Sequence, residues 1–269
     1  MKKFFFLYRL YLFEEYLSLD RLSASPFKNF NKSPAYYYQK KQVPVKETKE
    51  MKLGTMIHTW MLENSTFHNL YYSMPTLKEI DMEKPEKPDV DLRKKENKDL
   101  DIVKDYKKIK AIYDKKVEER EELIQMYLEQ ANGRIVYPEE VINRFSKLPV
   151  RTNNKNEVTV LWEWEGVKCK SRFDMLHDNG IEDLKTINDI FKIDRDFYKF
   201  GYHLQAGFYA QAYFHAFDKW PEFFNFTFVS TDENYFDLVT CPISFNYLEQ
   251  ARMECRELVI KFKNCLETG

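Results

Sequence analysis

The chain has 269 residues, of which 43% are hydrophobic and 16% aromatic, and its 42 basic side chains nearly balance 43 acidic ones. This composition excludes a wholly disordered or fibrous protein and predicts a globular chain, long enough for one large domain or two small ones. The net charge of −1 does not by itself indicate a nucleic-acid partner, although a locally basic groove can be offset by an acidic site.

Neither the cysteines nor the amino terminus indicates a zinc site, an iron–sulfur cluster or a membrane anchor. Cys169, Cys241, Cys255 and Cys265 show no CxxC spacing, so we expect reduced thiols of a cytoplasmic protein. The apolar run at the amino terminus is interrupted by Arg9, and no small-residue cleavage site follows it. Because nothing else approaches the length of a membrane span, we expect a soluble intracellular protein without a membrane partner.

The first half of the chain is predicted to be mainly helical. Apolar residues spaced three and four apart predict a helix over 46–64, whereas residues 76–100 are nearly free of apolar anchors and predict an exposed charged loop. A long helix is expected over about 102–130, ending at Asn132 and Gly133. Pro138, followed by two glutamates, is predicted to begin a short helix.

The pattern changes near Glu157. Three β-rich runs, separated by turn signals at 165–166 and 178–180, predict a three-stranded antiparallel meander. One helix is expected over about 194–217, then two strands joined by a tight turn at 232–234, and Ser244 is a candidate N-cap for a final helix. We therefore predict an α/β or α+β fold in a single domain, residues 1–269, with a helical portion (about 1–150) and a core (about 157–269).

Charged residues converge on two strands of this meander. Because side chains alternate along a strand, Arg172 and Asp174 share one face of the second strand, and Asp183 and Lys185 share one face of the third. Two carboxylates beside a lysine suit Mg²⁺ and a phosphate substrate, and the backbone carbonyl of Leu184 could supply a further oxygen ligand.

Each of these features also has an ordinary structural explanation. An aspartate and a lysine two apart on a strand are usually solvated surface residues, although apolar neighbours such as Leu184 favour buried strands here. Gln205 and Tyr209 lie four apart on one helical face, which on its own indicates a core helix. His58 falls inside an amphipathic helix, where a single histidine is more often structural than a metal ligand.

Taken together and in order, these segments resemble a known family. The motifs are LSASPFKNFNKSPAYYY near the amino terminus, GTMIH, RFD, DLKT and YHLQAGFY. They are similar to the RecB-like branch of the PD-(D/E)xK nucleases, and above all to the RecE-type (exonuclease VIII-like) exonucleases of phages and prophages. The resemblance spans residues 22–236 and implies a restriction-endonuclease-like core, in which helices flank a central mixed sheet that contains the meander.

The resemblance also implies roles for individual residues. Asp174, Asp183 and Lys185 would be catalytic. His58, the two aspartates and the Leu184 carbonyl would bind Mg²⁺, with Mn²⁺ as the alternative. Positioning of the DNA would fall to Gln205, Tyr209, Arg172 and Thr186.

The activity that the resemblance implies is removal of one strand of double-stranded DNA from an end during recombination. It also implies a homo-oligomeric ring, a single-strand annealing protein as partner, and the cytoplasm of a bacterial or phage-infected cell. The cysteine spacing disfavours the iron–sulfur relatives.

Three other interpretations stay open. One is a PD-(D/E)xK endonuclease or single-strand nuclease, which would cut closed circular or single-stranded DNA. Another is a DNA-binding protein of the same fold without activity, and the third is a structural or interaction protein whose charged residues form surface ion pairs. Glu182 is a further candidate ligand, although strand alternation points it away from Asp183.

Overall fold

The structure, a computed structural model, describes residues 13–43, 46–152, 155–232 and 237–268. The chain forms two compact units. One combines the residues up to Asn64 with those from Leu148 onward, and the other is Ser65–Lys147. This grouping joins the early helices to the predicted core, and the predicted single nuclease domain over 1–269 stays a prediction.

Ten α-helices lie in the described residues. They are α1 (Phe13–Ser18), α2 (Ala24–Lys32), α3 (Pro34–Gln42), α4 (Lys49–Leu62), α5 (Asn64–Leu70), α6 (Asp101–Ala131), α7 (Glu139–Phe145), α8 (Ile193–Lys199), α9 (Tyr202–Phe217) and α10 (Phe245–Thr268). The predicted helices over 46–64 and 102–130 are confirmed as α4 and α6, and the short helix after Pro138 as α7. Residues 76–100 contain one short 3-10 helix, Lys95–Asn97, and are mostly exposed, as predicted.

Seven strands are described, in two sheets. They are β1 (Tyr71–Met74), β2 (Ile135–Pro138), β3 (Lys155–Trp164), β4 (Val167–Leu176), β5 (Gly180–Ile187), β6 (Phe223–Ser230) and β7 (Leu238–Ile243). The larger sheet has the order β3-β4-β5-β6-β7, antiparallel throughout except for the parallel pair β5 and β6. The fold is therefore a mixed sheet with an antiparallel meander and flanking helices, which confirms the predicted fold class.

The predicted turn at 165–166 fixes the register of the first hairpin. Glu165 and Gly166 both have positive φ, at 50° and 83°, as a two-residue turn that matches strand twist requires. The register that follows pairs Trp164 with Val167 and continues to Val158 and Phe173. The predicted turn at 232–234 lies partly outside the described residues.

A buried helix covers one face of the large sheet. All residues of α9 from Leu204 to Tyr213 are buried, and Phe208 contacts both Trp162 of β3 and Phe27 of α2, with ring centroids 4.8 and 5.3 Å apart. Helix α10 packs on α9, with Ser244 capping it through a 3.3 Å hydrogen bond from the backbone N–H of Tyr247, as predicted. These layers form the core that supports the strands.

The prediction of one helix over 194–217 is wrong, because the chain breaks between α8 and α9. The apolar spacing continues across the break, but Gly201 adopts a left-handed conformation with φ 64°. A Cβ at this glycine would lie 2.9 Å from Cδ of Lys28. The break starts α9 afresh and allows its first turn to approach Lys28 of α2.

The segment after α1 is joined to the edge of β4. Leu22 forms a parallel bridge with Cys169, and the buried ammonium of Lys170 donates to the carbonyl oxygens of Tyr16 and Leu19 at 2.7 and 2.8 Å. These bonds help to satisfy the carbonyls at the end of α1. The early helices thereby become part of the same unit as the sheet.

The second unit is built around one long helix and a small sheet. Strands β1 and β2 pair in parallel from Tyr71 and Ile135, an element that the sequence patterns did not predict. Helix α6 ends at Asn132, whose left-handed conformation confirms the predicted stop. Among the helices of the described residues, none is long and apolar enough to cross a bilayer.

Candidate active site

The site lies where β4 and β5 separate. These strands pair only at Met175 with Glu182 and at Leu176 with Ile181. One step beyond the last pair, Asp174 stands opposite Asp183, and its Oδ2 accepts a 2.8 Å hydrogen bond from the backbone N–H of Leu184. The end of strand pairing therefore makes room for the two acidic side chains that were expected to converge.

Asp183, which is fully buried, belongs to a chain of four polar side chains that runs from Lys185 through Asp183 and Gln205 to Lys28. Lys185 forms an ion pair with its Oδ2, and the amide nitrogen of Gln205 donates to its Oδ1 at 2.9 Å. The amide oxygen of Gln205 in turn accepts from Nζ of Lys28 at 3.1 Å. Lys28 was not among the residues singled out in the sequence, because nothing local distinguishes it from other lysines of an amphipathic helix.

His58 reaches the same place from α4. Its Nδ1 lies 4.0 Å from Oδ2 of Asp174. Helix α4 packs closely against β5, where a Cβ at Gly54 would lie only 2.9 Å from Oγ1 of Thr186. The small residue one turn before His58 therefore lets the helix approach the strand and bring the imidazole to the carboxylate.

Glu157 is a site residue that the sequence reading missed. Donor atoms of His58, Glu157 and Asp174 all lie within 4.8 Å of one another. Glu157 also forms an ion pair with Arg172. The signal was present in the register of the first hairpin, which pairs Asn156 with Met175 and Val158 with Phe173 and so leaves Glu157 and Asp174 opposite each other between these two pairs.

Burial raises the pKa of each carboxylate of this site. It raises the pKa of Asp183 to about 6, and the neighbouring charge of Asp174 adds to the effect while Lys185 opposes it. Burial together with the charge of Asp174 raises the pKa of Glu157 to about 7, against the opposing effect of Arg172. The pKa of Asp174 is raised as well, chiefly by burial. The acids together carry more negative charge than their surroundings stabilise.

The basic groups respond to the same environment. Burial and the positive charge of Lys185 lower the pKa of His58 to about 4, so the imidazole is neutral at physiological pH and able to coordinate a metal. Burial and the same charge lower the pKa of Lys28 to about 8. Burial alone would lower the pKa of Lys185, but the charges of Asp183 and Asp174 raise it, so this lysine stays protonated.

The remaining predicted residues have different surroundings. Tyr209 is buried beside the aspartates, where burial raises its pKa well above the usual value, and its ring contacts Phe173. Thr186 packs under Gly54 instead. The Leu184 carbonyl accepts a 3.3 Å hydrogen bond from Lys185.

Glu182 does not join the site. Its Oε1 accepts a 2.6 Å hydrogen bond from Thr227, and its carboxylate lies 3.6 Å from both Arg151 and His177. Strand alternation therefore points it away from Asp183, as expected.

A cavity of about 1260 Å³ opens onto Asp174, Lys185, His58 and Glu157. Among the described residues that line it, nine are basic and four are acidic. The basic residues are Arg21, Lys28, Lys40, Lys41, Lys168, Lys170, Arg172, Lys185 and Lys263. The near-zero net charge of the chain thus conceals a local excess of positive charge, which suits a polyanionic ligand.

The donor set suits a hard divalent cation. Carboxylate oxygens and one neutral imidazole converge within a few ångströms, and the raised pKa values of the acids mean that a cation would relieve repulsion between them. Asp183 faces this group from the next strand, with its oxygens engaged by Gln205 and Lys185. The residues present therefore fit a metal centre.

Comparisons with known proteins agree with this geometry. The profile of a family described as a PDDEXK-like domain of unknown function (DUF3799) matches residues 23–269. The chain is also similar to a solved structure from Eubacterium rectale described as a "Putative exonuclease", with a TM-score of 0.52 over 94% of this chain and 85% of that one. At 15% identity, this likeness shows a shared fold alone. No curated protein matches the chain.

Proposed function

The chain belongs to the DUF3799 family of PDDEXK-like domains, and hence to the PD-(D/E)xK nuclease superfamily, and from this premise we propose that it is a metal-dependent exodeoxyribonuclease. The proposed activity removes one strand of double-stranded DNA from an end. One observation carries it: Asp174 and Asp183 face each other across separating strands, Lys185 pairs with Asp183, and Asp174 and Lys185 both line the basic cavity. Such a group has no role in the core, where buried charges without a function are disfavoured.

Four residues would hold the cation. His58, Glu157 and Asp174 offer donor atoms within 4.8 Å of one another, and Asp183 adds a carboxylate from β5. The Leu184 carbonyl is a fifth candidate donor. A bound Mg²⁺, or Mn²⁺, would supply Lewis-acid stabilisation of a scissile phosphate and would lower the pKa of a water.

Lys185 has the properties of the group that stabilises developing negative charge. Its raised pKa keeps it protonated, and it already lies against Asp183 at the cavity wall. Gln205 fixes the carboxylate of Asp183 by a hydrogen bond, so that the acid and the lysine keep their relative positions. Lys28, with its lowered pKa, places a second ammonium within reach of a phosphate in the cavity.

The proposed DNA contacts extend from this centre. Arg172 and Tyr209 line the cavity beside Asp174, and Arg172 is orientated by its ion pair with Glu157. Lys40 and Lys41 of α3 and Lys168 of β4 would neutralise further phosphates, a contribution that weakens as the salt concentration rises. Thr186 stays a proposed positioning residue, acting through its contact with Gly54 on the helix that carries His58.

The resemblance to RecE-type exonucleases supports the finer part of the proposal. We propose that the activity serves DNA recombination in the cytoplasm of a bacterial or phage-infected cell, and that the enzyme works as a homo-oligomeric ring with a single-strand annealing protein as partner. Each of these statements rests on that resemblance.

The test is nucleotide release from end-labelled duplex DNA in the presence of Mg²⁺ or Mn²⁺. Wild type is expected to degrade linear duplex progressively and to leave closed circular DNA intact. Asp183→Asn is expected to lower the rate by about 10²-fold or more, because it removes a ligand charge and the partner of Lys185. Addition of EDTA is expected to stop the reaction.

Glu182→Gln provides the matched control. It changes the neighbouring buried carboxylate on the same strand, whose partner Thr227 can donate to an amide oxygen equally well. The control is expected to keep the wild-type rate. Cleavage of closed circular DNA would favour the endonuclease alternative, and equal rates for wild type and Asp183→Asn would reject the assigned site.

A further inference from the structure

We propose that two copies of this chain associate through α6, with the two helices antiparallel and related by a two-fold axis near Lys116 and Val117. Helix α6 carries none of the candidate site residues, so this inference does not depend on the proposed function. It rests on three independent features of the helix: its exposure, its apolar stripe and its charge distribution.

Helix α6 is long and largely unsupported by its own unit. It has 31 residues, or about 46 Å at 1.5 Å per residue. Only Val103 and Ala131 are buried, whereas large apolar side chains along its length are exposed, including Ile102 at 60% and Ile109 at 45%. A helix of this length gains most of its stability by packing an apolar face, so this exposure points to a missing partner.

Apolar residues form a stripe with coiled-coil spacing at positions 102, 106, 109 and 113, then 117, and then 124, 127 and 131, with Arg120 completing the series and Ala131 at its end already buried. Further exposed apolar residues, Ile112, Leu123, Met126 and Leu128, lie outside the stripe. The spacing of four, three and four residues that runs from position 102 to position 113 is repeated from Arg120 to position 131. Because such spacing keeps side chains on one face of the helix, the stripe is typical of a helix that packs along its whole length on another helix.

The charges of α6 are divided between its two halves. Residues 101–116 contain six lysines and three aspartates, whereas residues 117–131 contain five glutamates and one arginine. The dipole of the helix does not explain the acidic half, because the last turn carries Glu129 and no basic residue. A basic half followed by an acidic half is complementary to itself when one copy is reversed.

Antiparallel pairing brings the stripe and the charges into register together. A two-fold axis near residues 116–117 places each residue of one helix opposite a residue of the second copy, and the two residue numbers of every such pair add up to 233. Tyr106 would then face Tyr127 of the second copy, Ile109 would face Ile124, and Tyr113 would face Arg120. Parallel pairing would instead place basic half beside basic half, which like-charge repulsion disfavours.

The geometry also identifies which charges flank the interface. At about 100° per residue, Lys110 and Glu121 lie beside the stripe, whereas Glu122 points to the opposite side of the helix. Lys110 of each copy would approach Glu121 of the other, which gives two equivalent contacts. An interface of this symmetry closes at two copies, so a larger ring would need a second surface as well.

The experiment measures the mass of the full chain by sedimentation equilibrium over a wide range of protein concentration. Wild type is expected to form dimers or larger assemblies built from dimers. Glu121→Lys is expected to weaken the dimer by about tenfold or more, because it places like charges together twice. Combining Lys110→Glu with Glu121→Lys is expected to restore association, and far-UV circular dichroism checks that each variant keeps its helix content.

Glu122→Lys is the matched control, with the same change of charge one position along the helix. It is expected to leave the dissociation constant unchanged. A wild-type chain that is monomeric at every concentration would overturn the proposal. Equal weakening of association by Glu121→Lys and Glu122→Lys would also overturn it. The same holds if the combined variant does not restore association. A monomeric chain in which Lys110→Glu weakens binding of duplex DNA would assign α6 to DNA instead.

Discussion

Gln205 is the side chain through which the site can be perturbed without removing a charge. Its amide nitrogen donates to Asp183 at 2.9 Å, and its amide oxygen accepts from Lys28 at 3.1 Å. Gln205→Met keeps the length of the side chain and removes both hydrogen bonds. A hydrogen bond to a charged group contributes about 1.5–3 kcal/mol. Because Asp183 is fully buried, no water replaces the lost donor, and we expect a loss of unfolding free energy of this size.

The loss of unfolding free energy is expected to depend on pH, and the direction of this dependence follows from the pKa of Asp183. Burial raises this pKa to about 6, so the folded protein holds the carboxylate ionised only at higher pH. The Gln205 hydrogen bond stabilises the ionised form and so counteracts that rise. Removal of this hydrogen bond should therefore lower the unfolding free energy most above about pH 7, and progressively less as the pH falls through about 6.

The assay is urea unfolding without metal, at about pH 5 and about pH 7.5. Gln211→Met is the matched control, because Gln211 is equally buried on the same helix and its oxygen accepts from Arg252 at 3.5 Å, away from the aspartates. The control is expected to show a smaller loss that is the same at both pH values. A Gln205→Met loss that is independent of pH, or no larger than that of the control, would refute the role of Gln205 as a support for ionised Asp183.

Three further outcomes are expected. Glu157→Gln should weaken Mg²⁺ binding by about tenfold or more in titration calorimetry, and unchanged affinity would exclude Glu157 as a ligand. Mg²⁺ should raise the melting temperature more at about pH 8 than at about pH 5.5, because Asp183 and Glu157, with pKa values of about 6 and about 7, must release protons to bind it; equal shifts would contradict this. Gly207→Ala should lower the unfolding free energy by about 1–3 kcal/mol, since its Cβ would lie 2.5 Å from the carbonyl carbon of Ala251, and an unchanged urea midpoint would disprove that contact.

The pair of aspartates shows how much of the site a local sequence pattern can predict. Alternation placed Asp174 and Asp183 on the inner faces of their strands, and the turn signals placed those strands side by side, so the convergence of the two acids was predictable. The same reasoning, carried through the register of the first hairpin, would have added Glu157. It was missed because the residue stands at the start of β3, before the alternating run is established.

Other features could not be predicted from local patterns. The break at Gly201 interrupts a continuous apolar period, and only the structure shows the left-handed backbone and the close approach of Lys28 that favour glycine there. The pKa values of His58 and Lys28 depend on burial beneath neighbouring elements and on the charge of Lys185. Both effects involve residues far apart in the sequence.

The sequence by itself determined the elements whose period and end signals lie within a few residues: the meander, α6 with its stop at Asn132, the final helix, and the strand faces that carry Asp174, Asp183 and Lys185. Only the tertiary structure decided that Lys28 and Gln205 support Asp183, that Glu157 joins His58, and that Glu182 stands apart. The reason is physical. Backbone hydrogen bonding and side-chain direction are local properties, whereas burial, ion pairing and metal-ligand geometry arise when distant segments pack together.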